Sequence, residues 1–373
     1  MTIVLFLIIL GIVVISHEFG HFIVARANGI HVVEFSVGMG PTIFHIDGKA
    51  TRYSIRLLPI GGACIFDGMT DLEENAEEKP SADPVGSIGT TEKSSFQPDL
   101  DKGGSFLEAS VWARITTILA GPLFNIVLGI LIAFIVVAWN GTDLPEVQAV
   151  MEDSAAEEAG IMPGDVITNI DGEDIHLYRE ISLNSALNSK GKPMIITYER
   201  NGEVSTVTLT PKYSEEDERF YIGLLGSGKY VECKGMDIFR YGLYESRFIV
   251  NNTLKSLLML VTGNLNKNDV SGPVGVASYV GETYEVVKDY GVSAVVFSTL
   301  NFVLILAINL GIMNLLPIPA LDGGRLVFLF IELIRGKPIP PEKEGMVHFA
   351  GMVLFFIIMI LVLYNDIMKI IAP

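Results

Sequence analysis

The string His17-Glu18-Phe19-Gly20-His21 joins residue types that do chemistry to a spacing that lets them cooperate. Residues four apart on a helix lie one above the other on the same face, so imidazoles at 17 and 21 can chelate one metal ion. Zinc takes such nitrogen ligands at about 2.0–2.1 Å. Glu18 projects beside that face. A bound ion would acidify a water, and the carboxylate would take its proton and later return it, the working logic of HExxH metalloproteases. The surrounding run is apolar. Two histidines and a glutamate in a lipid-spanning helix are costly unless buried and partnered. A polar helix–helix contact is the plainer alternative, but it does not account for the spacing.

Catalytic zinc also needs a third protein ligand and an open position. His31, His45 and His348 are possible ligands, His176 lies in the expected external domain on the wrong side, and Asp322 is the better candidate. Asp322 stands in the string NLLPIPALDGGR, residues 314–325. Its two prolines cannot continue a regular helix, and its two glycines allow close backbone approach. The same string also reads as a helix-ending turn. Gly121-Pro122-Leu123-Phe124-Asn125 sits inside another apolar run, where the Gly-Pro pair opens the backbone and invites close packing. Asn125 and Asn314 are polar groups at membrane depth. Each could donate to a substrate carbonyl or bridge two helices, and both readings stay open.

Four segments can carry these residues across a hydrocarbon core of about 30 Å, which takes about 20 apolar helical residues. They are 2–27, 111–139, 292–316 and 347–367. The first has no basic residue before it and no small-residue cleavage site after it, so it is expected to be a retained helix rather than a signal peptide. Arg26 closes the first segment, Lys49, Arg52, Arg56 and Arg114 come next, and Arg325, Arg335, Lys337 and Lys343 follow the third. That placement predicts two cytoplasmic connections, with residues 140–290 and both termini outside. His17, His21 and Asp322 then share a depth near the cytoplasmic side.

Composition agrees with a membrane chain. Of 373 residues, 50% are hydrophobic and only 18% charged, unlike an ordinary soluble or disordered protein. The net charge of −17 argues against general nucleic-acid binding, which needs basic surface. Cys64 and Cys233 are too few for a disulfide framework and read as unpaired thiols. Residues 32–66 hold strand-like runs about an Asp47-Gly48 turn signal, which predicts a hairpin-like sheet. Residues 67–108 read as an acidic flexible loop, with Asp71–Glu78 as a solvated run. Residues 142–213 have the mixture of a small α+β domain, with a helix over Leu177–Ser189 and a hairpin turn at Asn201-Gly202. Residues 236–262 have apolar positions at helical spacing, fitting a helix on the membrane surface or one packed on the small domain.

Together HEFGH, GPLFN and NLLPIPALDGGR resemble, in order and in membrane placement, the site-2 protease family of intramembrane zinc metalloproteases. The closer likeness is to the bacterial regulator-of-sigma-E protease type, which carries external PDZ modules. SAAEEAGIMPGDVITNIDGEDI looks like a stretch of a bacterial PDZ domain. The resemblance implies a multi-pass α-helical membrane protein with four transmembrane helices, a membrane-associated β-hairpin region and an inserted extracytoplasmic α+β PDZ-like domain. Its segments would be 1–31 (first transmembrane helix with HExxH), 32–66 (reentrant hairpin), 67–108 (cytoplasmic loop), 109–141 (second helix) and 142–213 (PDZ-like domain). Then follow 214–288 (amphipathic surface helix and connection), 289–326 (third helix with the LDG motif) and 327–373 (cytoplasmic turn and fourth helix).

By the same resemblance His17, His21 and Asp322 would bind one catalytic Zn²⁺, Glu18 would be the general base, and Asn125 and Asn314 would lie by the substrate. Residues 34–62 resemble the hairpin that pairs with extended substrate. The implied activity is hydrolysis within transmembrane segments of single-pass proteins, either anti-sigma factors or remnant signal peptides. The implied place is the bacterial plasma membrane, with the lipid bilayer as the other partner and no nucleic acid. Two departures stand out: Ala63-Cys64 follow Gly61-Gly62 where the family often has an aromatic, and the length allows one PDZ module. The string Ser271-Gly272-Pro273-Val274-Gly275 resembles a family loop and reads as a tight turn. A metal transporter would want a polar path through the outer halves of the helices, where no polar cluster is seen. A non-catalytic scaffold leaves Glu18 without a task.

Overall fold

The computed structural model describes residues 1–68, 103–188, 190–215, 219–226, 228, 230–263 and 272–371. Most of the expected acidic loop, and Ser271, lie outside these. The chain divides into two compact units, Met1–Gly129 with Asn266–Pro373, and Ile130–Leu265.

The first unit is built on helices. They are α1 (Thr2–Ala27), the first part of α2 (Val111–Asn140), and later in the chain Pro273–Val287, Val292–Asn314, Asp322–Arg335 and Pro341–Ile371. Among the described residues four helices are long and apolar enough to cross a membrane: 2–27, 111–140, 292–314 and 342–369. Apolar residues occur all round these segments rather than on a stripe, as befits a hydrocarbon solvent. A helix is the form that satisfies its own backbone there.

Between α1 and α2 come β1 (Val32–Asp47) and β2 (Arg52–Phe66). Each strand doubles back, so two strands make four lanes. Residues 32–37 form an inner lane, because Phe35 pairs with both Cys64 and Tyr53, and Ser36 with both Ala63 and Ser54. Residues 42–47 pair with 52–56 on the far side. Gly38, at φ +93°, makes the reversal in β1; a Cβ there would stand 2.6 Å from the Leu58 carbonyl oxygen. The outer lane is apolar and exposed at Ile43, Phe44 and Ile46. The other edge lane, residues 62–66, carries no further strand among the described residues.

Within the segment 289–326, one helix stops at Asn314, near the end of the expected span 292–316, and a separate helix starts at Asp322. Pro317 and Pro319 lack the N–H that a continuous helix would need. An apolar cluster that includes Ala25, Val32, Phe66, Ile118, Leu326 and Leu329 joins α1, the hairpin, α2 and the Asp322–Arg335 helix. A buried ion pair adds to it, with Arg114 donating to both Glu332 carboxylate oxygens at 2.5 and 3.1 Å.

The second unit holds β3 (Val147–Val150), a short α3 (Ala155–Glu158), β4 (Val166–Ile170), β5 (Glu173–Asp174) and α4 (Tyr178–Leu187). Then come β6 (Met194–Arg200), β7 (Glu203–Leu209), β8 (Lys212–Ser214), β9 (Arg219–Tyr221), β10 (Leu224–Gly226) and α5 (Met236–Thr262). Four strands form a sheet in the order β5-β4-β6-β7. Asn201 and Gly202 both take positive φ between β6 and β7, the twist a two-residue hairpin favours. The small domain extends past residue 213, because β10 pairs with β3 in an antiparallel ribbon. Helix α5 packs on it through charges: Arg179 bridges Asp143 at 2.7 Å and Glu245 at 2.8 Å, and Lys255 meets Glu173 at 2.5 Å. Burial pushes the Glu245 carboxyl up against the pull of Arg179. The other side of α5 leaves Phe239, Leu243, Leu254 and Leu258 exposed. In chain order the helices after α5 are α6 (Pro273–Val287), α7 (Val292–Asn314), α8 (Asp322–Arg335) and α9 (Pro341–Ile371).

Candidate metal centre

Helical spacing stacks His17 and His21 on one face of α1, with their Nε2 atoms 3.2 Å apart. The start of α8 brings Asp322 to them. Its Oδ2 lies 3.0 Å from His17 Nε2 and 3.4 Å from His21 Nε2. Ligands held tetrahedrally at about 2.0–2.1 Å from zinc stand about 3.3–3.4 Å from one another, so the three edges have the right size. Asp322 Oδ2 is buried and completes no hydrogen bond, although it faces two imidazoles. The Thr117 carbonyl accepts a hydrogen bond from His21 Nδ1 at 2.8 Å. That bond assigns the Nδ1–H tautomer and leaves the Nε2 lone pair aimed at the shared point. The donor set therefore fits a zinc ion.

Local structure explains how Asp322 arrives. After α7 the chain runs through successive turns that hold both prolines, and Ala320 takes φ +80°. The Ala320 N–H donates to His348 Nδ1 at 3.1 Å, and the Leu321 N–H to the Ile318 carbonyl at 3.2 Å. A Cβ on Gly323 would stand 2.1 Å from the Leu316 carbonyl oxygen, so only glycine lets the loop fold back onto the helix it starts.

Glu18 lines a cavity of about 370 Å³ together with His17, His21, Asp322, Cys64 and Phe66. Its stem rests on Gly62, where a Cβ would come 2.8 Å from Glu18 Cγ. The edge lane 62–66 thus forms one wall beside Glu18. Asn314 Nδ2 lies 3.5 Å from both ring nitrogens of His17. Asn125 is fully buried on α2, and neither of its amide atoms has a hydrogen-bond partner among the described residues.

The other histidines serve elsewhere. His31 Nε2 donates to the Ala50 carbonyl at 2.6 Å, His45 lies near Asp47 on the exposed hairpin, and His348 supports Ala320. In the small domain His176 stacks on Tyr244 with ring centres 3.7 Å apart. Among the described residues the only metal-competent group is His17, His21 and Asp322. Sequence reasoning did not find Thr117, which acts through its backbone, or Phe66 and Arg325, which line the cavity. Only the Gly121-Pro122 pair hinted that α2 meets the motif closely.

Comparison with known proteins shows the family of the chain. Residues 5–358 match peptidase family M50. The zinc metalloprotease RasP of Geobacillus kaustophilus is 32% identical, over 99% of this chain and 98% of its own. The regulator of sigma-W protease RasP of Bacillus subtilis is 31% identical, over the same shares. A solved PDZ domain from a Listeria innocua SdrC-like protein is 26% identical over 24% of this chain and 98% of its own, with a TM-score of 0.21. The chain belongs to peptidase family M50, the site-2 protease family, and is a zinc metalloprotease.

Proposed function

We propose that this metalloprotease hydrolyses peptide bonds within or beside the transmembrane segments of single-pass membrane proteins. The observation that carries the proposal is the meeting of His17, His21 and Asp322, from two separate helices, within 3.0–3.4 Å of one another. These three would hold one Zn²⁺ and leave a side open to the cavity. When bound, the ion supplies Lewis-acid polarisation of the scissile carbonyl and acidifies water. Glu18 takes the proton of the attacking water and delivers it to the departing nitrogen. Asn314, beside His17, and Asn125 offer amide N–H groups toward the substrate backbone. Apolar walls at Ile65, Phe66, Ile118 and Leu321 limit bulk water around the proton transfers.

A helical substrate hides its peptide bonds and must unwind first. The edge lane 62–66 beside Glu18 pairs with no further strand among the described residues, and it would hold the extended chain by main-chain hydrogen bonds. The name of the Bacillus subtilis relative supports anti-sigma factors as substrates, and remnant signal peptides fit the same chemistry. The family likeness supports a bacterial plasma-membrane protein, and the placement of lysine and arginine supports this site near the cytoplasmic side and the small domain outside. That domain is PDZ-like on its sequence, and it would bind chain ends or filter bulky external domains.

Glu18→Gln should keep its zinc and lose about 10²–10⁴-fold in cleavage of a reporter helix. Undiminished cleavage would overturn the mechanism. Asp322→Ala should lower the zinc content of the purified protein, and unchanged content would remove Asp322 from the metal.

A further inference from the structure

Gly121 lies against the His21 ring more closely than any side chain would allow. A Cβ at Gly121 would stand 2.2 Å from His21 Nε2, 2.6 Å from Cε1 and 2.8 Å from Cδ2. One turn earlier on α2, Thr117 accepts the hydrogen bond from His21 Nδ1. One residue later stands Pro122, which has no N–H to donate to the carbonyl of Ile118, so the helix lacks one of its own hydrogen bonds where the ring enters. At the same level Gly20 of α1 is closed on α2, since a Cβ there would stand 2.5 Å from the Ala120 carbonyl oxygen. The ring therefore occupies a slot made by one helical turn of α2: a carbonyl at its top and a bare Cα at its floor.

We infer that Gly121 is a positioning residue for the metal centre, setting the rotation of the His21 ring so that Nε2 points at the site shared with His17 and Asp322. The inference rests on the zinc reading above and adds to it a residue that touches neither metal nor substrate. Any side chain at 121 must push Nε2 from that point while leaving all three ligands chemically intact. Alanine favours helix over glycine by about 1 kcal/mol, so loss of metal in Gly121→Ala would not follow from a weaker helix.

The test uses full-length protein in detergent and reads metal rather than activity. Zinc affinity is measured by chelator competition, and site geometry by the absorption bands of the Co²⁺-loaded protein. Gly121→Ala should bind zinc about 10–100-fold more weakly, in the range for groups that orient a metal ligand, and should change the Co²⁺ bands. Gly129→Ala is the control: it crowds Ile308, where a Cβ would stand 2.4 Å from Cγ1, two turns from the ring. It should leave metal affinity within about twofold, as expected for a change outside the ligand shell. Wild-type affinity and spectrum in Gly121→Ala, or equal losses in both variants, would overturn the inference. If Gly121→Ala does not accumulate, the double variant Gly121→Ala/His21→Ala decides. Removing the ring empties the slot, so the double variant should accumulate as His21→Ala does; failure to do so would make Gly121 a helix-packing residue only. Unchanged zinc binding in His21→Ala alone would instead count against the zinc reading.

Discussion

Ala320 has a backbone conformation that residues with a Cβ rarely take, at φ +80°. Left-handed backbone costs such a residue about 1–2 kcal/mol. The turn is kept because His348 accepts the Ala320 N–H and because the next two residues must deliver Asp322. Ala320→Gly should therefore raise the stability of the purified protein by about 1 kcal/mol in thermal unfolding. Ala320→Val, β-branched, should lower both stability and bound zinc. At this scale the chemistry was legible wherever it depends on local periodicity. His17, Glu18 and His21 could be read because a helix repeats every 3.6 residues. The demand on Gly121 could not, because it is made by a ring 100 positions away in sequence.

Among elements, α8 must sit where its first residue completes the metal centre, and the Arg114–Glu332 pair holds its other end to α2. Both side chains are nearly buried, at 9% and 11% exposure, so removing one strands the other charge. Arg114→Ala should cost about 3–5 kcal/mol, and the volume-matched pair Arg114→Met/Glu332→Leu should recover most of that, as chemical unfolding would show. In the small domain, burial together with the Arg247 cation holds the His176 imidazole below its ordinary value. The fold thus favours neutral His176 stacked on Tyr244 of α5. A free histidine titrates near pH 6.5, so this contribution is complete above about 6.5 and is lost as pH falls from there through the folded value. Hydrogen exchange should find α5 less protected at pH 5 than at pH 7, and His176→Phe should remove that slope. The hairpin itself was legible from β-branched runs and a turn signal. The folding back of each strand was not, because pairing partners are set in three dimensions.

On the scale of the whole molecule, α2 carries tryptophans near both ends, Trp112 and Trp139, at 60% and 52% exposure. Twenty-seven residues of helix span about 40 Å, the hydrocarbon core plus part of each interface. In lipid vesicles both indoles should be quenched best by labels at headgroup depth; best quenching of either by a mid-chain label would contradict the assigned span. The string that opens α6 shows why some of the architecture stayed hidden. Read alone, Gly272-Pro273-Val274-Gly275 is a tight turn. In the structure the N–H groups of Gly272 and Gly275 donate to the Asp366 carboxylate of α9 at 3.0 and 2.8 Å. Nothing near residue 272 announces a partner over ninety positions later.

The doubled-back hairpin has a consequence for how targets are told apart. Side chains of an extended chain alternate between two faces. A peptide laid along residues 62–66 would turn every other side chain toward His17 and Glu18 and the rest toward lipid or protein on the far side. Tolerance to substitution in a cut segment should then oscillate with a beat of two residues, tight where bulk meets the catalytic wall and slack between. Such an enzyme would inspect shape at intervals and ignore much of the spelling in between.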